Sequence, residues 1–256
     1  MIRYLIVGYS RSGTTATHLA LMGHPQISAL DGELKPSPFF TNGIRTFTHS
    51  HATTEEDRDG YRAIFDAITS LSNKAAKAVG AKTACNSAEL AQRMLHVLRH
   101  NIPEMKVIHM IRDDVIAHYA SGIMQARTGV SHSWNLGEKS YEAQPLSVLK
   151  RKLTAFVHHS SAVNRVFQQA AECHDYYPLH YERLLVNAEE VYRELFEFVG
   201  VDPCEVTWQN SSKLLPPPRE YIKNFDQCQK WLETAQDPNA YARARIMNKL
   251  CSFVGR

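Results

Sequence analysis

The stretch Leu5-Ile6-Val7-Gly8-Tyr9-Ser10-Arg11-Ser12-Gly13-Thr14-Thr15 decides how this chain is read. Residues 2–8 form a short apolar run ending in glycine, which suits a strand buried on both faces. Residues 14–23 open with two hydroxyl side chains and close at Gly23, with Pro25 beyond, the pattern of a helix and its stop. In a strand, glycine-rich turn and helix taken in that order, backbone N–H groups and the helix dipole converge on an anion. Gly8, four residues and Gly13 reproduce the spacing of the ATP loop G-x-x-x-x-G-K-[ST]. Thr14, however, stands at the lysine position, and the cation comes earlier, at Arg11. The guanidinium of Arg11 offers a forked donor array to a tetrahedral oxyanion, and Thr14 and Thr15 add hydroxyl donors. The alternative is a glycine turn that only joins strand to helix.

Outward from this loop the pattern keeps alternating. Tyr61, Ile64, Phe65, Ile68 and Leu71 share one helical face. Residues 78–84 read as a strand, and Leu90, Met94, Leu95 and Leu98 mark a helix stopping before Pro103. Residues 106–111 (KVIHMI) are the next buried strand, ending at Arg112-Asp113-Asp114 and leading into a helix to about Ala126. Residues 128–147 read as a loop, followed by a long helix with Leu149, Leu153, Phe156, Val157, Val163, Val166 and Phe167 inward. Residues 178–182 (PLHYE) are a last strand, 188–199 a helix ending at Gly200, 214–224 (LLPPPREYIKN) irregular, and 226–235 a short helix. Such alternation predicts an α/β three-layer sandwich, a mainly parallel sheet covered by helices. Ligands then sit at the carboxyl ends of strands, where Gly8–Thr15 and Arg112–Asp114 both fall. Without repeats, low-complexity runs or a linker, residues 1–256 are expected to form a single domain.

At 256 residues, with 44% hydrophobic and 21% charged residues, the chain has the composition of an ordinary globular protein. A net charge of +3 is too small to argue for nucleic acid, yet compatible with a local basic pocket for an anionic small molecule. The apolar runs fall far short of the roughly 20 residues of a membrane helix, and Met1-Ile2-Arg3 enters a strand directly, so no signal peptide is expected. Cys85, Cys173, Cys204, Cys228 and Cys251 are odd in number, scattered and free of any C-x-x-C pair, which argues against zinc or a disulfide framework. The expected setting is cytoplasmic.

Ser10-Arg11-Ser12-Gly13-Thr14-Thr15 after an apolar strand resembles the 5′-phosphosulfate loop of sulfotransferases that use 3′-phosphoadenosine 5′-phosphosulfate (PAPS). It is closest to the R-S-G-T/S-T variant of the bacterial and tyrosylprotein groups. The resemblance continues through His24-Pro25 and Gly32-Glu33. Residues 80–90 (GAKTACNSAEL) and 101–114 (NIPEMKVIHMIRDD) are similar to the family's K-T-P and P-x-x-K-h-I-x-x-x-R-D-P segments, where h is apolar. Residues 179–201 (LHYERLLVNAEEVYRELFEFVGV) are similar to its Y-E-D-L segment, and 216–232 (PPPREYIKNFDQCQKWL) to its C-terminal I-x-N. The ordered set covers most of the chain.

The resemblance implies a role for each matched residue. Arg11, Ser12, Gly13, Thr14 and Thr15 would hold the 5′-phosphosulfate, and Arg112 the 3′-phosphate together with a serine on the next helix. The family usually has that serine eight residues after the arginine; here that place is Ala120, and Ser121 follows. Tyr181 matches a tyrosine lying near the adenine, unless it is plain strand core; for Arg112 the alternative is a salt bridge with Asp113 or Asp114. Lys82 matches a lysine that can reach the active site, or is a solvated lysine. Glu33 falls within one residue of the family's glutamate base, with His49 and His51 in 47–54 (FTHSHATT) as rivals or as loop histidines without a role. H-x-H could also supply two metal ligands, but no third is apparent nearby. No metal is implied, because the sulfuryl group carries less charge than a terminal phosphoryl.

The resemblance thus implies an enzyme moving a sulfuryl group from PAPS to a hydroxyl or amine of a small acceptor and releasing PAP, the 3′,5′-bisphosphate. The loops 34–56 and 128–147, carrying Phe39, Phe40, Phe47 and Trp134 among polar groups, suit a polar or amphipathic metabolite. No nucleic-acid or membrane partner is expected, and a homodimer stays open. Two other readings remain: a P-loop kinase or ATPase holding magnesium at Asp113 or Asp114, and a non-catalytic PAP-binding protein.

Overall fold

A computed structural model of the chain describes residues 1–30, 75–130, 143–206 and 215–235. The helix expected around 61–71 and most of the 128–147 loop lie outside the described residues. The chain divides into two compact units, Met1–Asp114 with His159–Ser211, and Val115–His158 with Ser212–Arg256.

The first unit is built on a five-stranded sheet of order β2-β3-β1-β4-β5, every pairing parallel. Its strands are β1 (Ile2–Gly8), β2 (Ile27–Ala29), β3 (Ala78–Lys82), β4 (Lys106–Ile111) and β5 (Tyr176–His180). Tyr4, Leu5, Ile6 and Val7 in the central β1 have no solvent exposure, which is why their segment is an uninterrupted apolar run. Successive side chains point to opposite faces. Leu5 and Val7 join Val79, Ala81 and Val107 against α2 (Ala88–Asn101) and against Val163, Val166 and Phe167. Tyr4 and Ile6 join Ile108 and Met110 against α1 (Thr14–Met22) and, on the same face, Val191, Leu195 and Phe196. Helices on both faces of a parallel sheet make this an α/β three-layer arrangement, as the alternating pattern predicts.

Local signals account for the element ends. Ser87 caps α2 by accepting from the Leu90 N–H at 3.2 Å, with Glu89 in the first turn and Arg99 and His100 in the last, where they complement the dipole. His24, beyond α1, is buried; its Nδ1 accepts from the Gln26 N–H at 3.0 Å, so Nε2 donates to the Asp202 carbonyl at 2.8 Å. Asp202 in turn receives Lys77 at 2.6 Å, tying α1 to the segment after α6 (Ala188–Phe198).

The second unit packs α3 (Val115–Thr128), the first part of α4 (Lys150–Gln168), α7 (Pro218–Tyr221) and α8 (Phe225–Ala235). Ile116, Tyr119, Ala120, Met124, Leu153, Tyr221, Ile222 and Cys228 form its core. Among the described residues no helix is long and apolar enough to cross a membrane.

Four sequence expectations need correction. Residues 215–224 are not irregular throughout: Pro218 takes the first turn of α7, where its missing N–H costs nothing, and Ile222 forms a parallel bridge with Leu146. The last strand is Tyr176–His180, and Tyr181 starts a helix, α5 (Tyr181–Val186). The strand expected over 78–84 stops at Lys82. Leu149 precedes α4 and is 60% exposed, whereas Leu153 and Phe167 face inward as expected. The short β2 and a 3-10 turn at Gln169–Glu172 carry no sequence pattern that distinguishes them.

Candidate functional site

At the carboxyl end of β1 the chain makes a tight turn, closed by the Ser12 N–H donating to the Tyr9 carbonyl at 3.2 Å. Arg11 has φ 70° and Gly13 φ 105°, so the left-handed region is entered twice in three residues. For a non-glycine residue such as Arg11 that conformation costs about 1 kcal/mol or more, and residues so held cluster at ligand sites. Gly13 has a second reason to be glycine: a Cβ there would lie 2.7 Å from Cδ2 of Tyr181. At Gly8 a Cβ would come within 2.6 Å of the Ser12 hydroxyl, so the loop folds back over the strand end only because that atom is missing.

Among the described residues the start of α1 is left without a side-chain cap: its N-cap is Gly13, and no acidic residue occupies the first turn. The first amides of any helix lack partners within it. Ser12 is 1% exposed, and its Oγ has no hydrogen-bond partner among the described residues. Thr14 is buried and Thr15 half-buried beside it, and Thr17 behind them donates to the Met110 sulfur at 3.3 Å.

Arg112 follows β4, whose register sets Gly8 beside Met110. Its Nη1 donates to the Arg11 carbonyl at 3.1 Å, and its guanidinium lies 4.8 Å from the centre of the Tyr181 ring. Its Nε is buried without a partner among the described residues. Asp113 instead meets His180, with Nδ1 2.7 Å from Oδ2, and the Asp113 and Asp114 amides both donate to Glu182 at 3.1 Å.

The structure therefore brings Arg11, Ser12, Gly13, Arg112 and Tyr181 together, with Thr14 and Thr15 opening α1. Lys82 ends β3, in register with Ile6, and is 6% exposed, so it is not a solvated lysine. The chain after it is laid along the loop: Thr83 N–H donates to the Ile6 carbonyl at 2.8 Å, Cys85 N–H to that of Gly8 at 2.9 Å, and Asn86 Oδ1 accepts from Ser10 N–H at 3.4 Å. Ser121 is buried on α3, in the second unit, one place on from Ala120, whose side chain belongs to that unit's core. Glu33, His49 and His51 lie outside the described residues. Among the described residues there is no group of three or more His, Cys, Asp or Glu that could hold a metal ion.

Sequence reasoning missed Glu182, His180 and Asn86 as partners of this edge. The signal for the first two is the register Ile111 to His180, which sets the chain after β5 alongside Arg112–Asp114. Pairing of two strands distant in sequence is not visible in either strand alone.

With this geometry the chain resembles known proteins. Residues 4–205 match the profile of a family described as "Sulfotransferase family". A sulfotransferase from Alicyclobacillus acidocaldarius is similar in structure, with a TM-score of 0.50 at 17% identity, over 86% of this chain and 89% of that one. The sulfotransferase domain of the Synechococcus PCC 7002 olefin synthase is similar too, with a TM-score of 0.51 at 16% identity, over 89% of this chain and 82% of that one. At such identities the likeness speaks for the fold alone. Among curated proteins none matches by sequence. The profile match spans well over half of the 256 residues, and the chain belongs to the sulfotransferase family.

Proposed function

We propose that the protein transfers a sulfuryl group from PAPS to a hydroxyl or amine of a small polar or amphipathic acceptor, releasing PAP. The observation that carries this reading is the pair of buried donors left without partners among the described residues, Ser12 Oγ and Arg112 Nε. They flank an uncapped helix start that carries no acid. A buried hydroxyl or guanidinium N–H without a partner costs about 1–3 kcal/mol, which an anion with acceptor oxygens would recover.

In this reading Arg11 to Thr15 receive the 5′-phosphosulfate and Arg112 the 3′-phosphate, with Tyr181 beneath its guanidinium. The family needs no magnesium, and the chain's own groups do the electrostatic work. Arg11 and the first amides of α1 stabilise negative charge growing on the bridging oxygen as it leaves with PAP. Lys82, buried at the end of β3, adds a cation at the same sheet edge. Glu33 takes the proton of the acceptor as its oxygen or nitrogen bonds to sulfur, with His49 or His51 as the alternative base. Holding acceptor and sulfur in line supplies much of the remaining rate.

Calorimetric titration with PAP tests the reading directly. Wild type should bind PAP and prefer it to adenosine 5′-phosphate, while Arg112→Ala removes the preference and Arg11→Ala weakens both. A wild type that fails to bind PAP overturns it. Glu33→Gln should keep PAP affinity and abolish turnover; if His51→Ala is the inactive variant instead, the base is the histidine.

A further inference from the structure

Two turns at the carboxyl edge of the sheet could receive an anion, and the chain treats them differently. The one entering α1 has no side-chain cap among the described residues. In the other, after β4, one carboxylate of the chain itself is already seated: Glu182 Oε2 accepts the Asp113 N–H and Oε1 the Asp114 N–H, each at 3.1 Å. A carboxylate with one oxygen on each of two consecutive amides occupies the position a bound phosphate would take on such a backbone. We propose that Glu182 is a positioning residue for nucleotide recognition: its carboxylate fills the backbone anion site after β4 and thereby fixes the turn that aims Arg112 at the 3′-phosphate. This rests on the reading of Arg112 given above.

The placement of Glu182 follows from topology. β4 and β5 pair in register from Val107 with Tyr176 to Ile111 with His180, and both strands end at that last pair. Beyond it Arg112 leaves one strand and Tyr181 begins α5 from the other. Tyr181 and Glu182, adjacent in sequence, then hold adjacent parts of one device. The ring of Tyr181 supports the guanidinium of Arg112, and the carboxylate of Glu182 holds the backbone just after it. His180 closes the third side through Asp113 Oδ2. With both amides taken, this turn offers the nucleotide no pair of N–H donors. Discrimination of a 3′-phosphate then falls on the Arg112 side chain, whose direction depends on a backbone that Glu182 immobilises. A guanidinium held in advance loses less conformational freedom when the phosphate arrives.

Glu182→Gln is the sharp variant, since it keeps shape while setting an NH2 donor against one amide donor. Calorimetry with PAP and with adenosine 5′-phosphate, on wild type and variant, gives the readout. The expected result is a loss of PAP affinity of about tenfold, the worth of one charge-assisted hydrogen bond, with adenosine 5′-phosphate affinity nearly unchanged. In turnover the same change should raise the KM for PAPS and leave kcat in place. Added to Arg112→Ala, Glu182→Gln should cost no further PAP affinity, because the two act on one contact. Equal weakening of both nucleotides, or an unchanged ratio, overturns the role of Glu182 while leaving the sulfotransferase reading intact. A wild type that does not prefer PAP overturns the reading of Arg112 and this proposal with it. Glu182→Asp, which keeps the charge and shortens the reach, is the second variant; it should lower the PAP preference in the same direction, and a preference equal to wild type counts against the proposal.

Discussion

The guanidinium of Arg112 lies over the ring of Tyr181, 4.8 Å from its centre, while the opposite flank of the loop meets the same ring at Gly13. One aromatic side chain thus lies against both Arg112 and Gly13, on the two sides of the proposed anion site. A cation over an aromatic face contributes about 0.5–2 kcal/mol, more when shielded from water. Tyr181→Phe keeps the face and should bind PAP within about twofold of wild type. Tyr181→Leu removes it and should weaken PAP by about threefold to thirtyfold. Calorimetry on the two variants checks this; equal loss in both would assign the role to the hydroxyl.

Gly13 is doubly constrained, by φ 105° and by the 2.7 Å approach of Tyr181 to a Cβ position. Gly13→Ala should lower unfolding stability by about 1–3 kcal/mol and remove PAP binding, because relieving the clash displaces either the loop or the ring beneath Arg112. Urea unfolding and calorimetry measure the two effects separately. Gly122→Ala, where a Cβ would meet nothing within 4 Å, is the matched control and should leave both unharmed.

Which parts of this were legible in the sequence follows from what each part depends on. β1, the loop, α1 and β4 were readable because burial on both faces demands an unbroken apolar run, and the turn demands glycine. The sequence reads Tyr181 as strand because it falls within PLHYE, the last strand expected. The chain turns helical there because pairing with β4 ends at His180 and Glu182 finds the amides of Asp113 and Asp114. Three successive prolines at 216–218 read as a breaker, yet the last of them starts a helical turn. The partners of Arg112 were not legible at all. Asp113 and Asp114 are its sequence neighbours, but a ring and a carbonyl brought in by other strands hold it instead.

Asn224, in the I-x-N segment, substitutes for a strand edge in the second unit. Its Oδ1 accepts from the Val148 N–H at 2.9 Å and its Nδ2 donates to the Val148 carbonyl at 2.8 Å. Asn224→Ala leaves both backbone groups without this partner and should cost about 1–3 kcal/mol. Asn224→Asp keeps the acceptor and loses the donor, so it should fall between. Thermal unfolding ranks the three proteins; an alanine variant as stable as wild type would show that water replaces the side chain at no cost.

His109 makes acid stability testable. It is fully buried in β4, its Nδ1 2.7 Å from the Tyr176 hydroxyl and its Nε2 3.2 Å from Asn164 Oδ1. With Asn164 as acceptor, Nε2 carries the proton and Nδ1 accepts from Tyr176, which is neutral imidazole held at both ends. Burial pushes its pKa down to about 4, against a smaller upward pull from Asn164, with His180 adding to the depression. The unfolded chain binds the proton near pH 6.5 and the folded chain only near pH 4. Between these values the unfolded state therefore carries more protons, so stability is complete above about pH 6.5 and falls as pH drops toward 4. A shift of that size is worth about 3 kcal/mol by linkage. His174, also held down by burial, acts with the same sign. Urea unfolding from pH 7.5 to 4 should show this slope in wild type. His109→Gln, which can keep the bond to Tyr176 but cannot take the proton, should start less stable and lose less over the same interval; an unchanged slope would mean that water reaches His109 in the folded state.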